Sequence, residues 1–294
     1  MGYLDRVKAC NAYDPRKFRG VYVEGRRVGW VKHDFAAILE RWPAVFAVTD
    51  RDVTLSPALD TFAARTEAVD AVIDVLVCEG TIGGRSNERY PVTATTLAGA
   101  VMGIDRSAAP YFGTRSFGQH VNGLVRRDGE LRMWVAKRSS KKIDFPGKLD
   151  NLVAGGLPLG RSLVENLLKE CEEEASISLA LASRAVPVGA ISLCYEGDDG
   201  MKPEVIYCYD LELPPDFQPR INDGEVEAFY EWSLDQAAEV VRDTDSFKMN
   251  CDLVIIDFLI RRGYLAPEDP EYLELVTGLR QDLDMRTAPP CEPG

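Results

Sequence analysis

The stretch GGLPLGRSLVENLLKECEEEASI, Gly155 to Ile177, runs a glycine-turn loop straight into an amphipathic helix. At about 100° per residue, Glu170, Glu173 and Glu174 share an arc of roughly 100°, while Val164, Leu167, Leu168, Cys171 and Ala175 form a separate apolar face. Clustering carboxylates costs helix stability, because Glu170 and Glu174 repel across one turn, so the pattern calls for a compensating cation. Glutamate-rich helix faces are usually solvated surface. Against that stand the glycine-rich entry, the E-x-x-E-E phase and the apolar stripe beside the acids. Glu172, on the opposite side of the stripe, is an internal control: a solvated charge, not a ligand.

The spacing resembles the Nudix box, G-x5-E-x7-R-E-U-x-E-E-x-G-U, a signature of Mg²⁺-dependent hydrolases that cleave a diphosphate linked to another group. Gly155 takes the first glycine, Glu170 the glutamate of R-E, Cys171 the apolar position, Glu173 and Glu174 the E-E pair, and Ile177 the last apolar position. Arg161, Lys169 and Ser176 depart from the pattern, standing for a glutamate, the arginine and the closing glycine. Ser162 and Glu165 form an S-x-x-E capping box that organises the helix start without the first glutamate. Lys169 lacks the planar bidentate grip of arginine, which leaves the orientation of one glutamate open.

Composition allows this chemistry. The chain of 294 residues can hold two modules, and its 46% hydrophobic and 28% charged content is that of a soluble globular protein. A net charge of -13 argues against a nucleic-acid polymer as partner, since no broad cationic surface exists to release counterions. Seven scattered cysteines without C-x-x-C pairing read as reduced thiols. No apolar run reaches membrane-spanning length and MGYLDRVKAC lacks a signal-peptide core, so the expected location is cytoplasmic, with no membrane partner. His33 and His120 are too isolated for a histidine metal site or a Ser-His-Asp triad, and both read as structural.

Along the chain, FRGVYVEGRRVGWV reads as two strands around a Glu24-Gly25 turn, DFAAILERW as a helix capped by Asp34, and VFAVTD as a strand. Ser56-Pro57 opens a helical stretch to about Val77, and TTLAGAVMGIDRSAAPYFG is expected to hold a helix from Thr95 or Thr96. From about Arg115 strands take over: GQHVNGLVRR, an Asp128-Gly129 turn, LRMWVAKRSS, and after the box a hairpin from PVGAISLCYE and EVIYCYDLEL. INDGEVEAFYEWSL reads as a loop, with helices near Leu234 to Val241 and Asp252 to Arg262. NCDLVIIDFLIRR is apolar nearly all round, so Asp257 needs a partner, Arg261 being one turn away. The expected fold class is α/β: a Nudix α/β/α sandwich with a mixed sheet at 115–286. A smaller α+β N-terminal module of unassigned role precedes it at 1–114, and a disordered tail follows at 287–294.

The blocks RSSKKIDFPGKLDNLVAGG, GEVEAF and NCDLVIIDFLIRRGYL resemble a narrower Nudix subgroup, which includes the Nudix half of fungal thiamine pyrophosphokinase fusions. That resemblance implies a diphosphatase acting on thiamine diphosphate or its oxidised or antagonist forms to give the monophosphate. A nucleoside triphosphate of the 8-oxo-dGTP type is the alternative substrate, and a catalytically weak Nudix-fold binding or regulatory protein the rival from another class. The family implies Mg²⁺, with Mn²⁺ able to substitute, held by Glu170, Glu173, Glu174 and the backbone carbonyl of Ala154. A later glutamate, Glu225 or Glu227, is implied as ligand or base, with the sequence unable to choose. Lys137, Arg138, Lys141, Lys142 and Lys148 are a solvated basic edge or phosphate contacts, and their concentration in an acidic chain favours at least one touching substrate. Trp134, Phe145, Tyr195, Tyr207 and Tyr209 are candidates to face the leaving group. Cys171 reads as core, Asp198 and Asp199 as turn residues, and a homodimer is allowed.

Overall fold

Two Xaa-Gly turns start the two main sheets. Glu24 and Gly25 have φ of 52° and 73°, and Asp128 and Gly129 have φ of 50° and 87°. Positive φ at both central residues gives the primed turn whose twist matches antiparallel strands. The structure, a computed structural model, describes residues 2–142, 144–222 and 224–283. The expected tail at 287–294 lies outside the described residues.

The first part runs α1 (Tyr3–Ala9), β1 (Phe18–Val23), β2 (Arg26–Lys32), α2 (His33–Leu39), β3 (Phe46–Val48), β4 (Asp52–Leu55), α3 (Phe62–Cys78), β5 (Arg89–Val92) and β6 (Met102–Asp105). The rest runs β7 (Ser116–Arg127), β8 (Glu130–Arg138), β9 (Leu149–Asn151), β10 (Val153–Gly156), α4 (Leu163–Ala175), α5 (Leu179–Ala182), β11 (Val186–Gly197), β12 (Gly200–Glu212), β13 (Val226–Ser233), α6 (Leu234–Asp243), α7 (Met249–Arg261) and α8 (Tyr272–Gly278).

The larger sheet has the order β11-β12-β7-β8-β13, with β10 on β7 and β9 on β8. It is mixed, because β12 runs parallel to β7 while its other pairings are antiparallel. Strand alternation divides its side chains between two cores. Val121, Val125, Trp134, Tyr209 and Leu211 pack with Leu167, Cys171 and Ala175 of α4. Leu124, Met133, Val135, Ile206 and Cys208 pack with Val254, Ile255 and Phe258 of α7. This is the expected α/β/α sandwich, with the box helix on one face and the late helix on the other. Asp257 in α7 is met by Arg261 at 2.7 Å and Arg280 at 2.6 Å.

The α+β first part has its own core, built from the four-stranded sheet β2-β1-β4-β3, helix α3 and the β5–β6 pair. Its packing is not a simple bead on a string. α1 joins the other core, with Tyr3 Oη donating to Ala238 O at 3.2 Å and Arg6 Nε to Val241 O at 2.9 Å. Lys32 Nζ grips the tip of the β11–β12 hairpin through Gly197 O at 3.0 Å and Asp198 O at 2.9 Å. Asp199 in that turn pairs with Lys202 at 2.9 Å.

Three local expectations are corrected, and one element is added. α3 begins at Phe62 because Thr61 Oγ1 caps Ala64 N at 3.1 Å, five residues beyond the expected Ser56-Pro57 start. Instead of a helix from Thr95 or Thr96 there is one 3₁₀ turn, Leu97–Gly99, followed by β6. Thr93 Oγ1 fixes that turn, accepting from Thr95 N at 3.1 Å and donating to Thr96 O at 2.9 Å; pairing with β5 then overrides helical propensity. The segment read as a loop around GEVEAF is mostly β13, a sheet-edge strand paired with β8. α1 is a short helix whose apolar side becomes legible only against α7 and α8.

Candidate active site

Ser162 and Glu165 make the expected reciprocal cap: Glu165 N donates to Ser162 Oγ at 3.2 Å, and Ser162 N to Glu165 Oε2 at 2.9 Å. That cap starts α4 without the missing family glutamate. Ser176, where the family has glycine, ends it in the left-handed region with φ 52°. Between the caps, α4 lies along β10, and the three glutamates fall into different environments.

Glu174 is buried at 8% exposure and accepts from Ala154 N at 2.9 Å. No lysine or arginine pairs with it among the described residues. Burial raises its pKa first, with Asp150, Glu170 and Glu225 adding to the rise and the Ala154 hydrogen bond opposing it; the result is about 8. Glu170 is also shifted upward, again by burial first, against the pull of Lys169. A Cβ on Gly155 would lie 2.5 Å from Glu170 Cδ, so only glycine lets that carboxylate settle against β10. Glu173 is half exposed. Lys169, in the family's arginine position, bridges Glu170 at 3.0 Å and Glu173 at 2.6 Å, so a single ammonium does the orienting that a guanidinium would do. Glu172 is exposed, as the helix phase requires.

The two later glutamates separate clearly. Glu227 is held by Lys137 at 2.7 Å and Ser140 N at 3.2 Å. Glu225 pairs with Lys142, and its charge acts on both Glu170 and Glu174. Among the other cations, Arg138 binds Asp150 at 2.9 Å and the carbonyl oxygens of Asp144 and Phe145, Lys148 binds Asp245 O, and Lys141 N donates to Ser139 Oγ. Three of the five expected phosphate contacts, Lys137, Arg138 and Lys142, are thus already paired with carboxylates. The aromatic candidates are dispersed: Trp134 is buried on the α4 side, Tyr207 stacks on Phe117 at 6.5 Å, and Tyr209 Oη accepts from Gln119 at 3.2 Å.

His120, Asp150 and Cys251 come together beneath β7, within 4.8 Å of one another. They are a poor metal centre. Asp150 already binds Arg138 and accepts from the Cys251 thiol at 2.7 Å. Burial would raise the Asp150 pKa, but Lys248, His120 and Arg138 outweigh it. Burial pushes the Cys251 thiol well up and His120 down to about 4, so neither is poised to change charge near neutrality. The cluster is a satisfied polar knot under the sheet.

Two contributors escape the motif. Asn166 is fully buried and donates to Gln119 Oε1 at 3.0 Å and Gly156 O at 2.9 Å, pinning the box loop to the sheet. Its signal was available: a polar residue one turn before Glu170, in phase with the glutamate arc of the helix. Tyr90 of β5 reaches Gly156 from the first part of the chain, where a Cβ would lie 2.2 Å from its hydroxyl. Nothing in its neighbouring sequence announces that contact.

Comparison with known proteins supplies the rest. The NUDIX domain model matches residues 117–250, and a domain of unknown function, DUF4743, matches residues 2–116. Nudix hydrolase 24, chloroplastic, of Arabidopsis thaliana is 46% identical over 95% of this chain and 78% of its own length. Nudix hydrolase 20, chloroplastic, of the same plant is 43% identical over the same shares. Among solved structures, DR0079 from Deinococcus radiodurans is 22% identical over 60% of this chain and 99% of its own, with a TM-score of 0.42. The expected cytoplasmic location is overturned, because both plant relatives are chloroplastic proteins. Members of the family generally use divalent metals. The chain belongs to the Nudix hydrolase family and is a hydrolase acting on diphosphate-linked substrates.

Proposed function

We propose that this hydrolase is Mg²⁺-dependent, with Glu170, Glu173, Glu174 and the Ala154 carbonyl as ligands and Mn²⁺ able to substitute. One observation carries the reading: Glu174 is a buried carboxylate whose only hydrogen-bond partner among the described residues is a backbone amide, one turn from the partly buried carboxylate of Glu170. Such a pair is costly without a cation, and an all-oxygen donor set suits a hard divalent ion. The bound ion supplies charge neutralisation on the phosphoryl oxygens and lowers the pKa of the attacking water. The chain's own residues do the positioning. Lys169 holds Glu170 and Glu173 in register, Ala154 N aims Glu174, and Asn166 fixes the loop carbonyl of Gly156. Of the two later glutamates, Glu225 is the better candidate for ligand or base, since it acts on Glu170 and Glu174 while Glu227 is held by Lys137.

For substrate, the narrower resemblance supports oxidised or antagonist thiamine diphosphates cleaved to the monophosphate. The test compares oxythiamine diphosphate, 8-oxo-dGTP and ADP-ribose at one Mg²⁺ concentration. Oxythiamine diphosphate should give the highest kcat/KM, and a nucleotide winning by tenfold, equivalent to about 1.4 kcal/mol, ends the thiamine reading while leaving the metal chemistry intact. Chelation should abolish turnover and Mg²⁺ or Mn²⁺ restore it. Full activity after rigorous chelation ends the metal reading, and tight binding without turnover favours the regulatory alternative.

A further inference from the structure

The first part of the chain has no chemistry of its own in the reading above, yet one of its side chains ends at the box. Tyr90 sits in the core of that part with Val92, Met102 and Ile104, so its ring is fixed from behind. Its hydroxyl leaves that core at Gly156, a position that tolerates no side chain because the phenol occupies its place. Two further contacts lock the approach: Leu159 N donates to Arg89 O at 2.7 Å, and a Cβ on Gly103 would meet the Leu159 side chain at 2.9 Å. The β5–β6 pair is therefore built onto the loop between β10 and α4.

Tyr90 as a residue is more than nine-tenths buried, and no protein group among the described residues hydrogen-bonds its hydroxyl. The hydroxyl itself is not sealed from solvent, so a phenol without a protein partner beside a catalytic loop is open to one from outside the chain. Burial first, then the charges of Glu88, Glu204 and Glu170 against that of Arg106, push its pKa to about 12. The group is protonated at neutral pH and can donate. Arg106, which pairs with Glu88 at 2.9 Å, holds its guanidinium 5.8 Å from the ring centre and adds positive potential there. A protonated donor within electrostatic reach of Glu170 suits a phosphoryl oxygen of a diphosphate held at the glutamates.

We infer that Tyr90 is a substrate-binding residue, its hydroxyl donating to a phosphoryl oxygen, and that the β5–β6 pair thereby completes the diphosphate site that the box helix leaves half built. The inference rests on the glutamate site proposed above.

The test uses the full chain and imidodiphosphate, a non-hydrolysable diphosphate carrying no leaving group, titrated calorimetrically in the presence of Mg²⁺. Tyr90→Phe removes one oxygen and keeps the ring. Its affinity for imidodiphosphate should fall about tenfold, and KM for oxythiamine diphosphate should rise to match with kcat nearly unchanged. Melting temperatures of both proteins check that the fold is kept. A variant that binds imidodiphosphate as tightly as the parent overturns the inference, as does a loss confined to kcat or to melting temperature, which would mark a structural role. The underlying reading fails separately: a parent protein that binds no imidodiphosphate with Mg²⁺ removes the glutamate site itself, whatever Tyr90→Phe does.

Discussion

Gly155 and Gly156 are neighbours in β10, and each makes room for a different part of the molecule. Gly155 admits Glu170 from α4, only fifteen residues further on; Gly156 admits Tyr90, sixty-six residues earlier. The α4 side brings negative charge that a cation must balance, organised by caps and by Lys169 within one helix. The β5–β6 side brings a neutral donor, organised by a separate core. A phosphoryl-transfer site needs both, charge to hold metal and donors to hold oxygens, and on the roles proposed above the two needs are met from separate parts of the sequence.

The largest effect should fall on the charged side. Glu173→Gln removes a proposed ligand that is half exposed and already paired with Lys169, so the fold should survive while kcat drops by about two orders of magnitude or more. Glu172→Gln, one residue away on the exposed face, should leave kcat within about twofold and serves as its control. Equal losses from the two would show that the helix face has been misassigned. Against this, the Tyr90→Phe effect on KM, about tenfold, is smaller because it removes one hydrogen bond and no charge.

The charged side should also show itself in pH dependence when metal is stripped away. In chelated protein the Glu174 carboxyl, with its pKa near 8, stays protonated in the fold at pH values where it would be ionised in the unfolded chain. A raised folded pKa contributes stability that is fully present below the unfolded value and is lost as pH rises toward and through about 8. The melting temperature of chelated parent protein should therefore fall by several degrees between pH 6 and pH 9 relative to Glu174→Gln, which carries no such proton. Asp252 has a similar upward shift to about 8 but is common to both proteins, so the difference isolates Glu174. Parallel curves for the two proteins would mean that Glu174 is not held protonated.

What could be read from sequence follows the same division. The box, its caps, the sandwich strands and the buried α7 depend on residues within a turn or a strand of one another, where periodicity and capping chemistry are visible. The cations of 137–148 were visible too, but not their partners: Arg138 with Asp150 and Lys137 with Glu227 depend on β8 meeting β9 and β13. Tyr90 lies just before the stretch expected to be helical, and its role depends on β5 pairing with β6 and on both docking at Leu159. Local pattern carries charge and phase; it does not carry which distant strand will arrive.

The smallest expected effect tests how far that local control extends. Ser176 ends α4 at φ 52° and ψ 36°, with its own N–H bonding to Glu172 O at 3.1 Å and the Ile177 N–H to Cys171 O at 3.0 Å. A side chain in the left-handed region costs roughly 1 kcal/mol that glycine does not incur, which is why a glycine suits this position of the motif. Ser176 recovers part of that cost by donating from Oγ to Arg220 O at 3.2 Å, an exposed hydrogen bond of modest worth. Ser176→Gly should therefore stabilise the protein by about 0.5 kcal/mol, a rise of a degree or two in melting temperature, with KM and kcat unchanged. The two terms are close enough that the sign is informative. A loss of stability would show that the link from α4 to the 220 segment outweighs backbone strain, and that even the end of the box helix is set by a distant strand connection and not by the motif.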